Sequence, residues 1–287
     1  MAPTATHEYV RVLTIAGSDS GGGAGIQADL KTFAALGCWG MSAITALTAQ
    51  NTLGVTAIHA APPDFLAAQI DAVVSDMGVH AVKIGMLHSA EIVRVVSGAI
   101  DRHCLPHVVL DPVMVSATGA VLIERDAVQA VVQELFPRAS VVTPNLDEAA
   151  LLLGSQPQNA GQMHTATRAL LEMGARAVLL KGAHLPGDEV VDWFWRQGDA
   201  QPALLRAPRV QTRNLHGAGC TLSAAIAAQL ALGQTLSEAV RLSTAWVRQA
   251  LAAGALARTG HGTGPLNHGF APRPMALRPF AAAPASP

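Results

Sequence analysis

The 287-residue sequence has little charge: Asp, Glu, Lys and Arg make up 14% of it, and 19 basic against 20 acidic side chains leave a formal net charge of −1. Without a basic excess there is no electrostatic ground for binding nucleic acid or an anionic membrane, since both rest on neutralising phosphate charge. The balance leaves a small molecule as the expected partner. Cysteine is scarce as well. Cys38, Cys104 and Cys220 are odd in number and far apart, so they give no disulfide framework, and residues 1–10 lack the apolar core of a secretory signal. Both absences point to a reducing cytoplasm. The longest helical apolar stretch, 222–232, carries Ser223 and Gln229 and falls short of the roughly 20 residues that span a bilayer. The eleven histidines are scattered, with no pair at zinc-ligand spacing supported by cysteines, which argues against a zinc site.

Half of the residues are hydrophobic, enough for a substantial core. Their spacing predicts a strand over 10–16 that stops at a glycine-rich loop, 17–25, and then a helix carried by Ile26, Leu30, Phe33 and Leu36 and ended by Gly37. Strands over 41–48 and 55–59 follow, joined by a polar connection at 49–52. After that, helices at 64–77, 89–100, 124–135, 147–153 and 165–173 are interleaved with short apolar strands at 81–84, 108–110, 140–142 and 177–180. Short continuous apolar strands between amphipathic helices imply a mostly parallel sheet covered on both faces. Segments 189–195 and 204–210 read as a late antiparallel pair, followed by helices at 219–232 and 236–253. No Pro- or Ser-rich linker interrupts this pattern, so a single domain is expected over 10–270. The start, 1–9, is expected to be flexible, and the Pro- and Ala-rich tail, 271–287, disordered.

Ligands of open α/β sheets bind beyond the carboxyl ends of the strands. Those ends carry Gly17-Ser18-Asp19, Lys83-Ile84-Gly85-Met86, Asp111-Pro112-Val113-Met114, Thr143-Pro144-Asn145-Leu146-Asp147-Glu148 and Lys181-Gly182. Loops are polar in any protein, yet Asp111 and Asn145 stand directly at strand ends beside prolines. The first glycine loop lacks the Gly-Lys-Ser/Thr of a Walker A loop and the spacing of a dinucleotide fingerprint. Asp29, about one turn into the next helix, is placed either to accept a hydrogen bond from a ligand or simply to favour the helix N-terminus. Asp111 and Glu148 are a natural pair for a divalent cation that keeps waters and uses substrate phosphates for its other ligands. The alternative for Glu148 is an exposed first-turn glutamate.

The richest stretch is His216-Gly217-Ala218-Gly219-Cys220-Thr221-Leu222-Ser223. Gly217 and Gly219 permit a tight turn, and the amides of Gly217, Ala218, Gly219 and Cys220 open a helix whose N-terminal N–H groups attract an anion. Cys220 is then either a thiol activated by that helix end or an inert core residue. A cysteine hydrolase with His216 as base is a further possibility, but no acidic or amide residue is identifiably placed to orient His216. A helix-end anion hole with two metal carboxylates suits phosphoryl transfer better.

Together these motifs resemble the hydroxymethylpyrimidine/phosphomethylpyrimidine kinase family of thiamine biosynthesis, within the ribokinase-like superfamily. Beyond the stretches above, the resemblance rests on residues 16–32 and on Ile44-Thr45-Ala46-Leu47-Thr48-Ala49-Gln50-Asn51-Thr52, and it runs from about Val12 to about His268. It implies a three-layer α/β/α sandwich with a small late antiparallel hairpin. The implied activity is phosphorylation, by ATP with Mg2+, of 4-amino-5-hydroxymethyl-2-methylpyrimidine and then of its monophosphate, in a cytoplasmic homodimer. On the family pattern Asp29 and Gln50 fall at pyrimidine-binding positions, with Gly17, Met86 and Val113 lining that pocket. Asp111, Asn145 and Glu148 fall where magnesium and phosphate are held, Lys181 at a phosphate contact, and Cys220 at the position of the base toward the substrate hydroxyl. Two departures stand out. Ala117 and Ala120 occupy places where many relatives carry a lysine and an aspartate, and Leu215 and Ala218 occupy places where threonines are frequent. A pyridoxal kinase of the same superfamily and a non-catalytic pyrimidine or nucleotide sensor are the competing readings.

Overall fold

A computed structural model describes residues 6–115 and 122–280; Ala117 and Ala120 lie outside them. After a short strand β1 (His7–Tyr9), β2 (Arg11–Asp19) leads through the glycine loop into α1 (Gly25–Ala35). Then come β3 (Trp39–Asn51), β4 (Gly54–Ala60), α2 (Pro63–Asp76), β5 (Ala81–Ile84), α3 (Ala90–Arg102) and β6 (Val108–Leu110). The second half runs α4 (Arg125–Ala130), β7 (Val141–Val142), α5 (Leu146–Leu153), α6 (Ala160–Glu172), β8 (Ala177–Leu180), β9 (Glu189–Arg196), β10 (Ala203–Pro208), α7 (Ala218–Ala231), α8 (Leu236–Gly254) and β11 (Leu277–Pro279).

Nine strands form one sheet in the order β10-β9-β8-β7-β6-β5-β2-β3-β4. The six central strands pair in parallel, and β4, β9 and β10 are antiparallel at the two edges. Strand periodicity separates two cores. Leu13, Ile15, Val82, Ile84, Val108, Leu110 and Val178 pack with α2 to α6 on one face. Val12, Ala81, Val109, Val141 and Leu179 face α1, α7 and α8 on the other. Helix α7 packs its small side chains, Ala224, Ala225, Ala227 and Ala228, fully out of solvent against the sheet. The result is the expected three-layer α/β/α sandwich with its late hairpin. Among the described residues no helix is long and apolar enough to cross a membrane.

The differences from the pattern-based expectation have local causes. Residues 49–51 continue β3 instead of forming a connection, because Ala49, Gln50 and Asn51 pair with Ala57, Val55 and Gly54 of β4. Helix α6 begins five residues before 165, where the Asn159 side chain accepts from the Gln162 N–H; its first turn, Ala160-Gly161-Gln162, carries too little apolar signal to announce it. The helix expected over 124–135 changes at Val131–Leu135 into a π-helical turn. Of the expected flexible start and disordered tail, residues 7–9 and 277–279 instead pair as an antiparallel ribbon, and the Ala276 and Arg273 N–H groups bond to the Gly37 and Ala35 carbonyls.

Candidate active site

The carboxyl ends of the strands surround a cavity of about 770 Å3. Its wall includes Gly17, Gln50, Met86, Val113, Asp111, Asn145, Glu148 and Lys181, together with the Gly217-Ala218-Gly219-Cys220 turn. The sheet and α7 thus gather almost every residue singled out from the sequence. Asp29 is the exception. It is fully buried beneath the wall, where Oδ2 accepts from Thr14 Oγ1 (2.6 Å) and from Lys83 Nζ (2.8 Å).

One end of the cavity is built from β2, β3 and β5. Thr45 Oγ1 donates to the Met86 carbonyl oxygen at 2.8 Å and fixes the turn after β5. Gly17 packs against Met86 here: a Cβ on it would stand 3.4 Å from the Met86 sulfur, in ordinary van der Waals contact. Gln50 Oε1 accepts from Thr48 Oγ1 (3.1 Å), and its Nε2 lies 3.5 Å from His216 Nε2. An amide held this way offers donor and acceptor together.

The middle is electrostatic. Lys181 Nζ donates to Asp111 Oδ1 (2.9 Å) and lies 3.9 Å from Glu148 Oε2, with both carboxylates buried. Thr143 Oγ1 also donates to Asp111 Oδ1, at 3.0 Å. Burial works against ionisation of Asp111, but Lys181 and Lys83 outweigh it and hold its carboxyl below the usual range. Glu148 differs: burial pushes it up to about 8 despite Lys181. It is not an exposed first-turn residue. It closes a capping box on α5, in which the Asn145 N–H donates to Glu148 Oε2 (2.7 Å) and the Glu148 N–H to Asn145 Oδ1 (2.9 Å). Asn145 is therefore the N-cap as well as part of the cavity wall.

At α7 the N-cap is Gly217, with φ 77° and no side-chain cap. A Cβ there would overlap the Gly23 carbonyl oxygen, so only glycine lets this turn nest against the first glycine loop. Gly219 faces the Lys181 ammonium, which lies 3.1 Å from where its Cβ would stand. The uncapped start of α7 and the Lys181 ammonium thus lie side by side, both favourable to negative charge. Cys220 is half-buried in the wall. Burial pushes its thiol up to about 11, opposed by the Lys83 ammonium and by the Gly25 N–H.

Three residues that the sequence placed on the strand-end rim or beside the α7 turn, without the partners they take, are Asp19, His216 and Lys83. Asp19 binds the glycine loop together: Oδ1 accepts from the Gly21 N–H, and Oδ2 from those of Gly23 and Ala24. The same Oδ2 lies 2.8 Å from His216 Nε2, so an acidic residue does orient His216, contrary to the expectation. That contact directs Nε2 to the loop, and no hydrogen bond joins His216 to Cys220 among the described residues, which removes the support for a Cys–His hydrolase. Lys83 is the third, a lysine with no exposed surface in a strand whose other residues are apolar. A charge in a buried apolar strand was the available signal. Past Lys181 the cavity continues between the late hairpin and α8, where Val190, Pro208, Val210, Val247 and Leu251 form an apolar end.

The profile of the phosphomethylpyrimidine kinase family matches residues 19–267. The hydroxymethylpyrimidine/phosphomethylpyrimidine kinase of Rhizobium meliloti is 51% identical over 259 residues, covering 89% of this chain and 96% of that protein. The Escherichia coli protein of the same name is 46% identical over 261 residues, covering 90% and 97%. Among solved structures, phosphomethylpyrimidine kinase from Clostridium difficile superposes with a TM-score of 0.73 at 41% identity, covering 84% of this chain and 99% of that one. An ADP complex of Bacillus subtilis pyridoxal kinase superposes with a TM-score of 0.84 at 33% identity, covering 91% and 98%. With a profile match over most of its length and relatives of this identity aligned nearly end to end, the chain belongs to the phosphomethylpyrimidine kinase family.

Proposed function

We propose that the chain is an ATP-dependent kinase that phosphorylates 4-amino-5-hydroxymethyl-2-methylpyrimidine and then the resulting monophosphate, in thiamine biosynthesis. The observation that carries this reading is the meeting, in one cavity, of an amide-bearing pocket, a thiol and a helix-end anion site. The aminopyrimidine lies between Gly17, Met86 and Val113 with its polar edge on Gln50, and Asp29 supports this end from below instead of touching the ligand. The nucleoside lies at the apolar end, which places its phosphates over Lys181 and the Gly217–Cys220 amides.

The two buried carboxylates, Asp111 and Glu148, suit Mg2+. No cluster of three or more His, Cys, Asp or Glu side chains forms a metal cage among the described residues, but magnesium needs only one or two carboxylates when waters and phosphate oxygens supply the rest. Asp111 and Glu148 would hold the ion, which when bound neutralises phosphate charge.

The transfer itself requires a base at the acceptor oxygen. The substrate O–H bond breaks as its proton passes to the Cys220 sulfur, the freed oxygen pair bonds to the γ-phosphorus, and the bond to ADP breaks with its electrons leaving on ADP. In the second reaction a phosphate oxygen of the monophosphate is the acceptor. A thiol at about 11 is almost fully protonated at neutral pH, so turnover by this route rises with pH as thiolate forms. Three free thiols and a reaction that consumes ATP fit a cytoplasmic enzyme. The assembly carried by this reading is a homodimer, for which Leu47 and Leu53 are exposed apolar side chains at the β3–β4 edge.

ADP release with the pyrimidine alcohol, with its monophosphate and with pyridoxal tests the assignment. Larger kcat/KM for the two pyrimidines supports it; larger kcat/KM for pyridoxal would replace it with the vitamin B6 reading, which the structural likeness to pyridoxal kinase favours. No ADP with any acceptor would leave a sensor.

A further inference from the structure

Two arginines border the apolar end of the cavity, Arg209 just beyond β10 and Arg248 on α8. Beside a triphosphate, arginines commonly grip the phosphates directly; here their hydrogen bonds go to protein carbonyl groups instead. Arg248 Nη2 donates to the Leu205 carbonyl oxygen (3.1 Å) and lies 3.6 Å from Asp192 Oδ2, which ties α8 to the edge hairpin. Arg209 is half-buried and committed more fully. Its Nε donates to the Gly187 carbonyl oxygen (2.6 Å), its Nη1 to that of Ala183 (2.7 Å) and its Nη2 to that of Leu185 (2.5 Å). All three guanidinium nitrogens are thus spent on one loop, residues 182–188 between β8 and β9. The Arg209 backbone N–H donates to the same loop, at the Asp188 carbonyl oxygen (2.7 Å).

That loop starts where Lys181 meets the carboxylates. The Lys181 N–H donates to the Pro144 carbonyl oxygen (2.9 Å) and the Gly182 N–H to Asp192 Oδ1 (2.9 Å), while a Cβ at Gly182 would overlap the Val191 carbonyl oxygen. From there Ala183 and His184 line the cavity, and His184 Nδ1 lies 3.2 Å from Asp147 Oδ2 on α5, with both side chains about half exposed. The chain then turns back through Gly187, at φ 120°. Its own backbone gives the loop little support: among the described residues the Leu185 N–H bonds to the Gly182 carbonyl oxygen (3.1 Å), and the carbonyl oxygens of Ala183, Leu185 and Gly187 are met by Arg209. A guanidinium presents its N–H groups in a fixed planar fork, which the single point charge of an ammonium cannot reproduce.

We propose that Arg209 is a positioning residue for the nucleotide: its fork holds residues 182–188 in the shape that sets Ala183 and His184 against the ligand directly after Lys181. The inference rests on the nucleoside occupying the apolar end of the cavity. Two consequences distinguish this role from that of a charge placed to attract phosphate. A lysine at position 209 keeps the charge and loses the fork, so it fails as an uncharged residue does. The defect falls on ATP and spares the pyrimidine, whose pocket lies beyond Lys181 among Gly17, Gln50 and Met86.

Calorimetry of the full chain with ATP and no acceptor reads the nucleotide site alone. Arg209→Gln and Arg209→Lys each weaken ATP binding by about tenfold or more, the scale of one lost charge-assisted hydrogen bond. Melting curves certify that each variant is folded, and either one carries the test if the other is not. At saturating ATP, kcat and the KM for the pyrimidine alcohol stay near wild type in both. Hydrogen exchange of the ligand-free chain gives a readout apart from activity: the amides of residues 182–188 exchange faster in both variants, while those of β5 and β6 do not change. Wild-type affinity in Arg209→Lys would overturn the fork and leave charge as the operative property. Loop amides that exchange as in wild type would overturn it as well, and so would a pyrimidine KM that rises in step with the ATP Kd, the mark of a general distortion. If the wild-type chain binds no ATP, the nucleoside placement falls and this inference with it; if wild type and both variants bind ATP equally, this inference alone falls.

Discussion

Two lysine–carboxylate pairs flank the start of α7, and they differ in their access to the cavity. Lys83 and Asp29 have no exposed surface at either side chain, whereas Lys181 is 11% exposed against Asp111 at 1% and shares its charge with Glu148. The Lys83–Asp29 pair borders the cavity without exposing side-chain surface, so it keeps its mutual hydrogen bond. The open pair holds a cation among carboxylates that also face the cavity, so an arriving phosphate or metal ion can repartner every member. Similar chemistry is thus buried to different depths on either side of the cavity.

The largest expected effect lies at the residue between them. Cys220→Ala lowers kcat by about 10²- to 10⁴-fold, the range for losing a positioned base, while calorimetry still detects ATP binding; unchanged turnover would deprive both pairs of their common target. Next come the lysines themselves. Lys83→Met costs about 3–5 kcal/mol in urea unfolding, since it strands a buried carboxylate. Lys181→Met costs less, because Lys181 is 11% exposed at the cavity wall and water can reach the Asp111 carboxylate it leaves, yet it removes more turnover. Equal stability costs, or equal activity losses, would erase the contrast between the pairs.

The last test separates the pairs by pH. The Glu148 carboxyl has an ordinary value of 4.5 and is raised to about 8 in the folded chain. Between these values the folded state holds the extra proton, so the Glu148 share of stability falls as pH rises from about 4.5 to about 8, then levels off. One proton gives a slope of at most about 1.4 kcal/mol per pH unit. Urea midpoints of the ligand-free protein at pH 5 and pH 8 should show the fall, and Glu148→Gln should flatten it. A slope that survives in Glu148→Gln would place that proton elsewhere.

Much of this was legible in the chain. The strand spans 81–84, 108–110 and 177–180 coincide with β5, β6 and β8 because continuous apolar runs bounded by polar turns have few other structures open to them. The site followed from the fold, since residues at successive strand ends must meet. What remained hidden depends on partners distant in sequence. Asp19 and His216 lie 197 residues apart, and no local pattern joins them. The position of Asp29 near a helix start left a ligand contact and a helix-terminus role both open, and only the family resemblance put it at the pyrimidine; whether such a carboxylate meets substrate or a lysine 54 residues on depends on how deeply α1 packs. Residues 49–51 looked like a connection because a strand extending past its sheet into a two-stranded hairpin need not be apolar.

The β1–β11 ribbon has a consequence for the order of the chain. His7 lies opposite Pro279, so the described chain nearly closes into a ring on the side formed by Gly37 and Ala276. A short peptide joining those two positions should let the protein be reopened at an exposed turn such as the one at Gly198, making a circular permutant with the same sheet order and cavity. Biosynthetic order would then be separable from architecture: the glycine loop of residues 17–25 and the α7 turn that nests on it could be made in either sequence and still meet.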